Sequence, residues 1–141
     1  MNRSATIFGV ALMALGACDG ADPVAEAAEK ARLRLDLVGF TYEFTDGRHR
    51  YNHNRLFTET AGTGVTVTRG KGCVMNGEEC ADALVSYRIE ALQTLEQKDH
   101  YVATPLEKDR ITLQYWAEDD AGNKFEFTKV VNTDGRTAVP E

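Results

Sequence analysis

Few residues of the chain could do covalent chemistry. Past residue 17 there is one serine, Ser86, set inside the alternating run Val85-Ser86-Tyr87-Arg88-Ile89. A nucleophilic serine needs an exposed elbow and a base to take its proton, and no Gly-x-Ser-x-Gly turn surrounds this one. His49 and His53 lie four apart in Arg48-His-Arg-Tyr-Asn-His-Asn-Arg55. That spacing puts two ligands on one helix face, but the segment lacks helix-forming apolar positions and a third ligand. The same eight residues hold Arg48, Arg50, Arg55 and Tyr51, a locally basic patch. Its composition suits a solvated polar loop. The lesser alternative is a ligand surface, where guanidinium forks take carboxylate or phosphate beside a flat ring. Glu118, Asp119, Asp120 and Asn123 could offer oxygens to Ca²⁺, although EF-hand spacing is missing and hairpin turns take Asp and Asn for backbone reasons. No nucleophile–base set can be assembled. The expectation is a non-enzyme without cofactor or bound metal.

The chain begins with one positive charge, Arg3, then thirteen uncharged residues from Ala5 to Ala17. A basic start, a short apolar core and small residues at its end are the anatomy of a secretory signal. The run is too short for a membrane span, which takes roughly 20 helical residues. Leu15-Gly16-Ala17-Cys18 resembles the lipobox of bacterial lipoproteins. The resemblance implies cleavage after Ala17 and a thioether-linked lipid on Cys18. Together with an acylated amino group, that lipid anchors stably where a single chain would hold only marginally. Residues 1–17 are then the signal, 18–36 a lipidated tether and 37–141 one domain in the cell envelope. Asp19 resembles a signal for inner-membrane retention in enteric bacteria, and the choice between inner and outer membrane stays open.

With Cys18 lipidated, Cys73 and Cys80 remain as a pair around Asn76-Gly77, a strong turn signal. A disulfide closing a hairpin fits, and export permits it. Zinc would need four ligands, and the spacing is not that of a redox CxxC. The chain carries 22 acidic and 16 basic residues, net −6. Removing the signal takes away Arg3 and no acid and makes it −7. That balance disfavours nucleic acid, which is bound through clustered Lys and Arg.

The positioning elements are short strands. Val38, Phe40, Tyr42 and Phe44 alternate with Gly39, Thr41, Glu43 and Thr45, a period of two. Asp46-Gly47 ends the run with a hairpin signal. Further strands are predicted within 56–60, 65–68, 84–91, 101–104, 110–117 and 124–131. Val24–Leu35, behind the N-cap signal Asp22-Pro23, predicts a short helical tether. Ile111, Leu113, Tyr115 and Ala117 share one face and leave Trp116 on the other, either on the outer surface or beneath the N-terminal segment. Phe40, Tyr42, Val85, Ile89, Leu113, Tyr115, Phe125 and Phe127 are predicted inward.

Ile111-Thr-Leu-Gln-Tyr-Trp-Ala-Glu-Asp-Asp-Ala-Gly-Asn-Lys124 resembles the closing hairpin of bacterial immunoglobulin-like modules of the hyalin-repeat type. The resemblance covers about twenty residues and implies a binding or spacer module. The combined expectation is an all-β, immunoglobulin-like antiparallel β-sandwich on a short helical tether. Its function would be non-catalytic: anchored to a membrane by lipid, it binds a protein or glycan or acts structurally. The candidate contacts are Arg48, Arg50, Tyr51, Arg55 and Trp116. The alternatives are an anchored inhibitor of an envelope-attacking enzyme and a small hydrolase. The anchor is testable: Cys18→Ser should abolish incorporation of labelled fatty acid into the expressed protein, and undiminished labelling would remove the lipoprotein reading.

Overall fold

The computed structural model describes residues 28–141; the signal, Cys18, Asp19 and the first part of the tether lie outside the described residues. Eight strands follow in order: β1 (Leu33–Thr45), β2 (Arg48–Glu59), β3 (Val65–Val74), β4 (Glu79–Ile89), β5 (Thr94–Thr104), β6 (Lys108–Asp119), β7 (Lys124–Asp134) and β8 (Thr137–Pro140). They form two antiparallel sheets, β1-β2-β5 and β4-β3-β6-β7-β8. The chain is all-β. No helix among the described residues is long and apolar enough to cross a membrane.

Period-two patterning explains the packing. Ile111, Leu113, Tyr115 and Ala117 are all buried, and Phe125, Phe127 and Val131 return beside them on β7. Facing them are Leu35 and Leu37 of β1 and Tyr51 and Phe57 of β2. Phe57 stands edge-on to Tyr115 at 5.2 Å, a preferred aromatic geometry. Each fully buried aliphatic or aromatic side chain stabilises the fold by roughly 1.5–3 kcal/mol. The predicted inward set holds: Ile89, Leu113 and Tyr115 are buried, while Phe40, Tyr42, Val85, Phe125 and Phe127 are partly buried against the same core.

Local turn chemistry joins the strands. Asp46 and Gly47 both take positive φ, 52° and 73°, which lets a two-residue turn follow the twist of the β1–β2 hairpin. Cys73 and Cys80 are direct partners across β3–β4 and are disulfide-bonded, with Cα atoms 4.1 Å apart. Met75 and Asn76 turn the chain at positive φ, and the Asp109 carboxylate accepts both of their amide protons at 2.8 and 2.9 Å.

Three expectations are corrected. The helical tether does not extend over its described part: residues 28–35 are non-helical, and Leu33–Leu35 already belong to β1. A tertiary partner overrides helix propensity there, since Leu35 pairs with Phe57 and is buried. The face Val38–Phe44 is not continuous. Gly39 at φ 70° makes a bulge that places one extra residue in β1 between Val38 and Thr41, so the inward side passes from Leu35 and Leu37 to Phe40 and Tyr42 and leaves Val38 exposed, while Phe44 is exposed at the hairpin end. Finally, Arg48–Arg55 is no loop but most of β2, the central strand of the smaller sheet.

Two buried carboxylates tie the loops at the end where the described chain begins. Glu59, 1% exposed, accepts amide protons from Arg32, Ala61, Gly62 and Leu92 at 2.8–3.1 Å. Asp119 accepts those of Ala31, Ala121 and Asn123. Burial alone would push the Glu59 carboxyl up, but the four N–H donors more than offset it and hold the group at about 2. A carboxyl depressed in the fold adds stability above its ordinary value near 4.5, and that stability is lost as pH falls from there towards 2. At neutral pH the contribution is about 3 kcal/mol. Urea unfolding of Glu59→Gln should therefore show a loss of about that size at pH 7, and the gap from wild type should close between pH 4.5 and 2.

Candidate binding cleft

The sheets differ in width, so β4 overhangs. Its inward residues Ala81 and Ala83 pair with Gly72 and Gly70 of β3, and such small side chains cannot fill the space beneath them. A cleft of about 610 Å³ results between the β3–β4 hairpin and the facing β2 and β5. This is within the size range of small-molecule sites, roughly 300–1,000 Å³. The glycine at 70 has a packing reason: a Cβ there would lie 3.1 Å from Cε1 of Tyr115. Leu113, Tyr115, Tyr87 and Val85 complete an apolar floor.

Arg48, Arg50 and Arg55 of β2 all line this cleft. Their surroundings differ. Arg48 spans the mouth from one sheet to the other, pairing with Glu79 at 2.9 Å, and the Glu79 carboxyl is lowered chiefly by that hydrogen bond. Arg50 lies over the Tyr101 ring at 3.8 Å, pairs with Glu43 at 3.1 Å and donates to Asn52 at 3.0 Å. Exposed pairs of this kind contribute little stability, typically below about 1 kcal/mol.

Arg55 is half-buried. Its Nε donates to Nε2 of His53 at 3.4 Å. Its terminal nitrogens have no hydrogen-bond or carboxylate partner among the described residues. The acceptor role of His53 follows from its other nitrogen. A carbonyl can only accept, so Nδ1, 3.1 Å from the Tyr51 carbonyl, must carry the proton, and Nε2 keeps its lone pair in the neutral ring. Burial lowers the His53 pKa to about 4, and the Arg55 charge and the charge His100 gains on protonation push the same way against the Tyr51 hydrogen bond.

The other predicted contacts are elsewhere. Tyr51 is 1% exposed and its hydroxyl donates to the Gly135 carbonyl, so it offers no surface to a ligand. Strand alternation turns it into the core, whereas a loop would have left it outside. Trp116 is on the outer face of the larger sheet, under the Arg69 guanidinium at 4.5 Å, in a shallow depression with Thr68, Lys124 and Glu126. The basic segment and Trp116 are therefore not brought together. The oxygens of Asp119 are taken by the amides named above and by the Asn123 side chain, and Asp120 pairs with Arg88 at 2.6 Å. Ser86 is exposed on β4.

Sequence reasoning missed the cleft floor. Its signal was present: Gly70-x-Gly72 and Ala81-x-Ala83, each at period two, flank the cysteine hairpin. Small residues alternating on both arms of a hairpin leave a bare sheet face.

The chain matches no protein family, and no curated protein resembles it in sequence. Among solved structures, it is similar to a Bordetella pertussis protein designated ApaA, at 12% identity and a TM-score of 0.57, over 80% of this chain and 94% of that one. A structural-genomics target named SoR45 aligns at 6% identity and a TM-score of 0.48, over 79% of this chain and 83% of that one. At 12% identity the first of these speaks for the fold alone.

The neutral His53 also makes the fold acid-sensitive. An imidazole whose pKa is lowered on folding costs nothing above its ordinary value near 6.5, where both states are neutral. As pH falls from 6.5 to about 4, the unfolded chain takes up a proton that the fold refuses, and about 3 kcal/mol of stability is lost. Unfolding free energy measured across pH 4–7 should show this slope. His53→Gln, which keeps a donor and an acceptor, should reduce it, leaving the part due to His100, whose pKa burial also lowers.

Proposed function

We propose that the chain is a non-catalytic lipoprotein of the cell envelope, anchored through Cys18, that binds its partner in the cleft between β4 and β5. The observation that carries this reading is the convergence of Arg48, Arg50 and Arg55 on an unfilled space with an apolar floor. Concave apolar sites with a few directed polar groups are where ligands are held. Strand direction adds a geometric argument. The described chain begins beside Glu59 and Asp119, whereas the cleft is flanked by the β1–β2 and β3–β4 hairpins at the other end of the strands. A lipid on Cys18 would then leave the cleft facing away from the membrane.

We propose further that the sandwich is immunoglobulin-like. β5 crosses over to lie beside β2, and β6 crosses back to lie beside β3. That order is a Greek key of the kind built into immunoglobulin-like sandwiches, which supports the kinship implied by the closing hairpin.

The test is competition between filling and recharging the cleft. Ala83→Leu, at an exposed position, should fill the floor without loss of stability. Arg48→Glu combined with Arg50→Glu should reverse the mouth. Both variants should lose, by tenfold or more, whatever the wild-type protein retains from envelope extract at matched salt. Retention of the same partners by both, at equal thermal stability, would place recognition outside the cleft.

A further inference from the structure

We infer that the occupant of the cleft is a small amphipathic carboxylate, its acid group held by Arg55 and its apolar body lying along the Gly70–Ala83 floor. This rests on the reading of the cleft as the binding site and specifies its ligand.

Arg48 and Arg50 already have carboxylate partners, Glu79 and Glu43. Arg55 has none among the described residues, although it is half-buried and lines the cleft. A guanidinium carries five donors, and the one directed bond seen here, from Nε to His53, leaves the terminal nitrogens unused. Removing such a group from water without an acceptor is costly, and a carboxylate satisfies it with two parallel bonds. His53 acts as a positioning residue. Its ring is fixed through Nδ1 on the Tyr51 carbonyl, and Nε2 then orients the guanidinium from behind.

The floor selects the rest of the ligand. Gly70, Gly72, Ala81 and Ala83 leave a bare strip of backbone and methyl groups, and Tyr87 and Tyr115 wall it. Lys71 and Asp82 also line the cleft beside the strip, but the strip itself is apolar and suits an aliphatic or aromatic body. An isolated anion without such a body would gain only the Arg55 contact, against the repulsion of a chain of net charge −6. Both halves of the ligand are needed.

The experiment uses the full chain in phospholipid nanodiscs, with empty nanodiscs as the blank, and isothermal titration with 4-phenylbutyrate, 4-phenylbutanol and acetate. The butyrate should bind one per chain. The alcohol should bind at least tenfold more weakly, and acetate should give no measurable heat. Arg55→Gln should weaken the butyrate at least tenfold while leaving the alcohol unchanged. Ala83→Leu should abolish both. Arg55→Lys, which keeps the charge but loses the fork, should fall between wild type and Arg55→Gln and guards against a folding defect. No butyrate binding by wild type, or equal binding by a folded Arg55→Gln, overturns the inference. If that happens while Ala83→Leu still loses the envelope partner, the cleft is the site and the ligand class is wrong. If Ala83→Leu keeps the partner, the cleft reading itself has failed.

Discussion

The sandwich depends on a carboxylate that never meets solvent. Glu59 sits at the end of β2 and accepts protons from the segment before β1, the β2–β3 turn and the β4–β5 turn. These segments are distant in sequence, and none is held there by an extended run of strand pairing. Loop amides buried at the end of a sandwich must find acceptors, because each unpaired donor costs about 1–3 kcal/mol. One carboxylate answers four of them. The charge remains buried because the donors supply what water would have supplied.

The same device recurs. Asp119 holds Ala31 and the β6–β7 turn, and Asp109, at the opposite end, holds the left-handed turn that closes the disulfide hairpin. Burial works against each carboxyl, and hydrogen bonds bring it down, from backbone amides at Glu59 and from the Thr104 or Asn123 side chain together with backbone amides at Asp109 and Asp119, so all three stay ionised at neutral pH. The acidity of the chain thus has two origins. Some carboxylates are internal acceptors, and others, such as Glu79, Asp82 and Asp120, sit in exposed pairs with arginines. Only the first group bears on the fold, since exposed pairs are screened and contribute little.

The cleft follows from an imbalance between layers. Three strands cannot cover five, and the uncovered part of the larger sheet is where β3 and β4 carry glycine and alanine. A larger residue at position 70 would collide with Tyr115, and larger residues at 81 and 83 would fill the opening. Fold and site are linked here by a single choice of side-chain size. The Cys73–Cys80 bond closes the end of this hairpin, tying together two strands that lack a full layer above them.

What the sequence determined by itself was local. Period-two alternation marked the strands 110–117 and 124–131, Asp46-Gly47 and Asn76-Gly77 marked hairpins, and cysteine spacing marked the cross-strand bond. Each depends on residues within a dozen positions of one another. The Arg48–Arg55 segment misled because its polar alternation belongs to a central strand with one face turned inward, where Tyr51 and His53 are buried. Composition cannot reveal that, since the covering layer comes from β6 and β7, more than fifty residues later. Glu59 was half legible: it continues the inward face of Phe57, and an acid on an apolar face requires donors. Which donors it receives was settled by the tertiary structure, because the amides of Arg32 and Leu92 reach it only after both sheets are packed. The difference between Arg48 and Arg55 has the same cause. The residue types are identical, and only the three-dimensional placement of Glu79 and His53 gives one a carboxylate and leaves the other facing a cavity.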